Sequence, residues 1–319
     1  MHIPRAAWVF AGVVLVLGIM WPVNLKAQTD DIVGVSDEFS DASILARWKR
    51  HDVVEGWPSQ IEVIDVNQSS PGHLYLEPFT SVWFAGFRAP FLYKEISGDF
   101  VVTTAVLAQG KKSDFPIVEG SLAGFMLRGP RAGTADTWKP EDESHVSLTA
   151  GLASGPGGRG PALETTVTTQ GRSPLEWRRG RQGWVLLRIA RIGPNFILMH
   201  RFEGAQWVFL HLETTEVLGR AFGMRPGIVE AAGLGPLLQV GITAMTDWTT
   251  IREKWDGLSG SDKAFKTFNS TVVKPPAGRP DLRARFDYVR FRQLSIPTQL
   301  QGRRLSDLTH LEMLSFLGD

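Results

Sequence analysis

The 319-residue chain has no cysteine, so disulfides, thiolate metal sites and thiol nucleophiles are excluded and stability must come from packing. It also lacks an excess of charge of either sign: 34 basic residues face 33 acidic ones. No global field is therefore present to recruit nucleic acid or an anionic membrane. Tyrosine is scarce, with 3 residues against 11 Trp and 18 Phe, so the aromatic surface is mainly indole and phenyl. Helical periodicity is almost absent before the last fifteen or so residues. There is no Gly-x-Ser-x-Gly elbow, no His-Glu-x-x-His, no Gly-x-Gly-x-x-Gly after a strand and no phosphate loop. The seven His are scattered without metal-ligand spacing.

What is present begins with a leader. His2 and Arg5 precede an uncharged stretch over residues 6–25, and small residues follow near Ala27. This is the layout of a signal peptide over residues 1–27, and it predicts a secreted protein, periplasmic or extracellular. The stretch is about as long as a bilayer-spanning helix needs, so an uncleaved anchor is the alternative. Pro22 and the polar residues after it favour cleavage, after which no membrane association is expected. No Cys follows for lipoprotein processing, and no twin arginine precedes.

Alternating or continuously apolar runs occupy residues 60–66, 73–76, 99–107, 122–128, 145–150, 164–169, 184–192, 195–202, 206–212, 237–245 and 285–292. They are bounded by Gly, Pro, Asn or Asp and predict at least eleven strands. Many short strands without βαβ alternation imply an all-β fold, two antiparallel sheets packed face to face over residues 28–295. Three segments break the rhythm. Residues 151–160, Gly-Leu-Ala-Ser-Gly-Pro-Gly-Gly-Arg-Gly, read as a flexible connection. Residues 249–283 form a long insertion between the last two strands. Residues 296–319 comprise a linker and a short amphipathic helix over 305–317, with possible N-caps Ser306 and Thr309 and Gly318 as a stop. Its leucine stripe needs a cover, and the chain's own sandwich is favoured over a protein partner.

The order of residues resembles a family at this point. Asp37-Glu-Phe-Ser-Asp41 followed by Leu45 and Trp48, Gly98-Asp-Phe-Val-Val102, Ala123-Gly-Phe-Met-Leu-Arg128, Trp184 with Leu187, Arg188 and Ile189, Glu203-Gly-Ala-Gln-Trp207, Gln239-Val-Gly-Ile-Thr243 and Phe286-Asp-Tyr-Val-Arg-Phe291 are similar to the concanavalin A-like lectin/glucanase sandwich. The nearest pattern is the accessory sandwich of family 43 glycosidases and related secreted domains of unknown role. The resemblance implies a jelly roll whose concave sheet often holds glycans.

Alternation then suggests what that sheet would show. Val102, Phe125, Leu148 and Leu187 belong to inward sets, which places Arg128, His145, Ser147, Trp184 and Arg188 outward. If the strands are neighbours, one face carries small residues, hydroxyls, two arginines and an indole. Such a face suits a glycan, because guanidinium donors read paired hydroxyls and a flat ring covers a sugar's C–H face. A solvated outer face with a rim Trp is the plainer alternative. Trp138 lies in a polar loop without apolar neighbours and joins the set as an exposed indole. Trp48, Trp57 and Trp207 are expected in the core. Trp83, Trp248 and Trp255 fit a core lid or a ligand platform. Trp177 sits in a basic hairpin that could grip an acidic polysaccharide, although a solvated hairpin is the preferred reading.

Support for catalysis is poor. Glucanases of this fold carry same-face acids on one strand, whereas Glu62 and Asp65, like Glu213 and Glu216, have odd spacing. Glu141 and Glu143, near His145, have permissible spacing but lie in a loop. No cofactor is implied. A structural calcium ion near the terminal strands, where Asp37 or Asp41 could meet Asp287, is the one metal considered. The expected function is non-catalytic polysaccharide binding, with a glycoside hydrolase or lyase of the same fold, or a cell-envelope structural domain, as alternatives.

Overall fold

The computed structural model describes residues 32–155, 157–210, 228–230, 234–255 and 262–318. The expected leader, residues 1–27, lies outside them, as do residues 211 and 212 of the ninth expected strand and part of the insertion. Period-2 patterning resolves into β1 (Lys49–Arg50), β2 (Ile61–Val66), β3 (Leu74–Pro78), β4 (Phe91–Ser97), β5 (Phe100–Gln109), β6 (Ser121–Arg128), β7 (His145–Gly155) and β8 (Gly158–Thr168). The remaining strands are β9 (Leu175–Arg179), β10 (Val185–Ile192), β11 (Asn195–Phe202), β12 (Val208–Phe209), β13 (Ile228–Glu230), β14 (Leu237–Met245) and β15 (Arg283–Gln293). One sheet runs β1-β4-β14-β6-β7-β8-β9; the other runs β12-β11-β10-β5-β15-β3-β2, with β13 also paired to β11. The chain is thus an all-β antiparallel sandwich of two sheets.

The alternation expected for the inner faces is observed. Phe125 and Leu127 of β6, Leu148 of β7, Leu187 and Ile189 of β10, and Val102 of β5 meet in the central core. Strand β4 escaped the sequence reading because Phe91, Leu92 and Tyr93 are all buried, so its start shows no alternation. Residues 151–160 correct a second expectation. The glycine run is not a flexible connection, because β7 and β8 pair in register through it, from Gly151↔Ala162 to Gly155↔Gly158.

The outward face of the seven-stranded sheet is covered over much of its area. Helix α1 (His51–Glu55), the loops around Trp83 and Trp138, and the insertion lie on it. The insertion folds as α2 (Trp248–Trp255) and α3 (Asp262–Asn269), whose Phe265 and Phe268 pack edge-on against Phe87 at 4.8 and 5.0 Å between ring centres.

The outward face of the eight-stranded sheet carries the C-terminal segment. The helix α4 (His310–Leu317) begins five residues later than expected, after a 3-10 turn at Leu305–Asp307. Thr309 is its N-cap, in a capping box with Glu312: the Glu312 backbone N–H donates to the Thr309 hydroxyl, and the Thr309 N–H to the Glu312 carboxylate. This arrangement satisfies orphan donors of the first turn. Leu308, Phe316 and Leu317 pack with Val101, Ala190, Ile197 and Met199 of the sheet, with Leu305 and Leu314 partly buried against them; the sandwich therefore covers one side of the segment, while Leu311 of the expected stripe stays exposed. No helix among the described residues is long and apolar enough to cross a membrane.

Candidate functional site

The outward face of the seven-stranded sheet divides into a sealed part and an open part. In the sealed part Arg128 ends β6 opposite His145, the first residue of β7, and both are fully buried. The Arg128 guanidinium donates to Glu143 at 2.9 and 3.1 Å, to Glu55 at 2.6 Å and to the Gln239 amide oxygen at 2.9 Å. Arg88 bridges the same two carboxylates at 2.8 and 2.6 Å, its guanidinium lying 5.0 Å from the centre of the Trp57 ring. The Trp138 indole donates to Glu143 at 2.7 Å and that of Trp57 to Glu55 at 3.2 Å.

Charge in this cluster is fixed by pairing. Burial alone would raise the carboxyls, but Arg128 and Arg88 overcome it, holding Glu143 well below the usual range and Glu55 at about 2. Burial, reinforced by the two arginines, pushes His145 down to about 4 against the opposing pull of Glu143. At neutral pH these two carboxylates are therefore ionised and saturated with donors. Neither can supply a proton, and neither faces solvent.

The open part is a pocket of about 300 Å³ over β6, β7, β8, β9 and β14, lined by Trp83, Phe84, Glu164, Trp177, Trp248 and Arg252 among others. Glu164 of β8 pairs in register with Trp177 of β9. The Trp177 indole donates to its carboxyl at 2.8 Å. Glu164 is 8% exposed and Trp177 38%. Burial raises the Glu164 carboxyl to about 7, although the Trp177 hydrogen bond opposes it. Gly155, in the β7–β8 hairpin, makes the seat for Trp177, since a Cβ there would come within 3.3 Å of Trp177 atoms.

Trp248 is positioned from two sides. Asp247, buried and at φ 69°, accepts from the Thr80 hydroxyl at 2.7 Å and from the Thr250 and Arg279 backbone N–H groups at 3.2 and 2.6 Å. On the other side Gly120, at φ +74°, lies so close that a Cβ would sit 2.7 Å from that of Trp248. Trp248 packs edge-on to Phe84 at 5.5 Å. Trp83, buried and donating to the Pro90 carbonyl at 3.3 Å, stands edge-on to His145 at 5.6 Å and so joins the pocket to the sealed cluster.

The expected ligand residues separate. Arg128, His145 and Ser147 share the outward face of the seven-stranded sheet, but all three are buried. Trp138 is 4% exposed; the polar loop hides it because its indole is needed by Glu143. Arg188 and Trp184 lie at the other sheet, so the shared depression expected for Arg128, His145 and Arg188 does not form. Arg188 donates to the Leu317 carbonyl and to the Thr103 hydroxyl at 2.9 Å, and lies 4.0 Å from the centre of the Trp207 ring. Trp184 stacks on His73. Trp48, Trp57 and Trp207 are buried as expected, and Trp83 with them.

Glu164 and Arg88 were not singled out by the sequence. An acid between Leu163 and Thr165 in a strand is the available signal for Glu164, and the sequence places Trp177 in a basic hairpin that could grip an acidic polysaccharide, with a solvated hairpin preferred. Of the loop acids, Glu141 is exposed in the turn Pro140–Asp142 and Glu143 is bound to arginines. The acids considered for calcium do not converge. The Asp37 carboxylate takes Lys94, Arg47 and the Trp48 indole, Asp41 caps the turn Ala42–Arg47, and Asp287 is exposed beside His73. Among the described residues no group of three or more His, Asp or Glu side chains is placed to hold a metal ion.

No family model matches the chain, and no curated protein matches it in sequence. Solved structures are similar in fold. A variant of the GH43 protein BlXynB from Bacillus licheniformis aligns with a TM-score of 0.49 at 13% identity over 83% of this chain and 40% of that one. The chain thus spans well under half of that protein's length. A functionally unknown protein from Saccharomyces cerevisiae gives 0.46 at 13% identity over 78% of this chain and 97% of the other. The catalytic domain of an endo-1,3-beta-glucanase (laminarinase) from Thermotoga petrophila gives 0.43 at 13% identity, over 81% and 96%. The chain itself is an antiparallel two-sheet sandwich, the architecture that the resemblance of its residue order implies.

Proposed function

We propose that the protein binds carbohydrate by taking a sugar unit into the Trp177 pocket, and that the leader delivers it outside the cytoplasm. The observation that carries this reading is the pairing of the half-exposed Trp177 indole with the buried Glu164 carboxyl in a cavity walled by Trp83, Phe84 and Trp248. Flat indole faces match the C–H face of a pyranose, and a few polar groups on an apolar wall fix its orientation. The volume of about 300 Å³ lies at the lower end of small-ligand pockets. Calorimetric titration with oligosaccharides of β-glucan, xylan, mannan and galactan tests it. At least one should bind the wild type and lose at least tenfold in affinity to Trp177→Ala; no binding by any of them overturns the proposal.

A hydrolytic reading is favoured by one observation. Two carboxyls, those of Glu164 and Glu119, line the same pocket, and burial raises Glu164 to about 7, the range that suits a general acid at neutral pH. Glycosidases need two carboxyls, about 5 to 9.5 Å apart according to stereochemistry. Reducing-end release from the same oligosaccharides, abolished by Glu164→Gln, would establish hydrolysis. Binding without release leaves the lectin-like reading.

A further inference from the structure

The eight-stranded sheet has a depression of its own on its outward face. It is a groove of about 840 Å³, and Trp184, Tyr288, His73, Arg201, Arg285 and Asp287 are among its lining residues. Ala105 of β5, opposite Leu186 in register, keeps its floor low. Trp184 is half-buried, and its ring is held by stacking on His73, 5.2 Å between centres with the planes 23° apart. Beside it stands a group that the fold leaves unsatisfied. The Nε of Arg285 is shielded from solvent and meets no hydrogen-bond acceptor among the described residues. Leaving a buried donor unpaired is costly, so a small shift of the Arg285 side chain that brought it to an acceptor in the groove would be favourable.

The charges on the groove indicate what kind of partner. Arg201 and Arg285 are matched by Glu203 and Asp287, so no net formal charge draws an ion. Donors and acceptors stand beside a fixed aromatic ring, the combination that reads a polyol: hydroxyl oxygens accept from guanidinium, hydroxyl protons go to carboxylate, and C–H faces lie on indole. We propose that this groove is a second site, for a neutral polysaccharide strand, on the opposite side of the sandwich from the Trp177 pocket. With both sites filled, one domain bridges two strands, because the intervening pair of sheets keeps a short oligosaccharide from reaching both. The bridging rests on the carbohydrate reading of the pocket; the groove does not.

The two indoles separate the sites. In the full chain with 15N-labelled tryptophan, assigned through Trp177→Phe and Trp184→Phe, the oligosaccharides of β-glucan, xylan, mannan and galactan are titrated while both indole N–H signals are followed. At least one should move the Trp184 signal saturably, still do so in Trp177→Ala, and lose at least tenfold in affinity in Arg285→Gln. If only Trp177 responds, the groove proposal is overturned and the pocket stands. If only Trp184 responds, the groove stands while the pocket and the bridging fall. Silence at both overturns both. Tighter binding of a uronate oligomer than of its neutral counterpart overturns the neutral-strand assignment. Should Arg285→Gln fail to fold, Trp184→Ala decides by calorimetry, and unchanged affinity at the groove overturns the proposal.

Discussion

Trp177 donates its indole N–H at 2.8 Å to Glu164, its register partner across the β8–β9 pair. The hydrogen bond favours the ionised carboxyl, yet burial prevails and holds it at about 7 against an ordinary 4.5. Below pH 4.5 the folded and unfolded chains are both protonated there, and the site contributes no pH dependence. Between 4.5 and 7 the unfolded chain gives up the proton first, so stability falls as pH rises, and the loss is complete above 7. Its full size is about 3 kcal/mol. Urea unfolding from pH 4.5 to 8 should show wild type losing stability relative to Glu164→Gln by an amount of that order. Parallel pH curves for the two proteins would refute this account of Glu164.

Trp177→Ala should weaken oligosaccharide binding by at least tenfold while lowering the melting temperature little, since the ring is part exposed on an edge strand. Removing the donor while keeping a covering ring, in Trp177→Phe, should raise the Glu164 carboxyl further, whereas Ala also uncovers it. Trp177→Phe keeps a stacking face but not the N–H, and should fall between wild type and Ala in affinity. A carboxyl-carbon NMR titration together with calorimetry checks both; an unmoved Glu164 in Trp177→Phe would mean that the indole hydrogen bond is not what opposes burial.

Arg128 acts as a structural partner in the sealed cluster. Arg128→Met leaves Glu143 and Glu55 buried with fewer donors, at a cost of about 3 kcal/mol, in the range for breaking a buried pair. Adding Glu143→Gln should recover part of the loss, because it removes a charge left short of partners. Denaturant midpoints for the single and double variants decide it. Arg131 also lies 3.8 Å from Glu55 and 3.7 Å from Glu143, and an Arg128→Met protein as stable as wild type would show that Arg88 and Arg131 alone neutralise the pair.

Period-2 patterning made the strands legible, and also which side of its own sheet each residue takes. Phe125, Leu148 and Leu187 point into the core as alternation requires. It could not say which sheet a strand joins, and that is why Arg188, outward like Arg128, ends up on the opposite side of the molecule. Nor could it see covering loops. Arg128, His145 and Trp138 are polar or lie in polar surroundings, and they are buried because Arg88 and Glu55 arrive from segments far apart in sequence to join the nearby Glu143. Glu164 was illegible for a related reason: its chemistry arises from burial beneath Trp177, a neighbour set by pairing with an edge strand that showed no clear pattern.

The last turn of α4 is held by two arginines of the eight-stranded sheet. Arg188 donates to the Leu317 carbonyl and Arg292 to that of Phe316, the latter at 3.1 Å. These carbonyls have no partner within the helix, and a cation at a helix C-terminus is favourable as well. Arg188→Ala should therefore cost stability, by about 1.5 to 3 kcal/mol for a charged hydrogen-bonding group. Deleting residues 300–319 should cost more, since Leu300, Leu308, Phe316 and Leu317 all leave apolar contacts, each worth up to about 1.5 to 3 kcal/mol. The two changes share one contact, so Arg188→Ala should be milder in the truncated chain than in the full one, by about 1 kcal/mol or more. Leu311, 79% exposed on the far side of the helix, supplies the control: Leu311→Ser should stay within about 0.5 kcal/mol of wild type. Thermal melts of the four proteins of the cycle, with size-exclusion elution unchanged throughout, would support the docked helix. A truncated chain that keeps its melting temperature but loses a dimer or a bound partner would instead make α4 an interaction element.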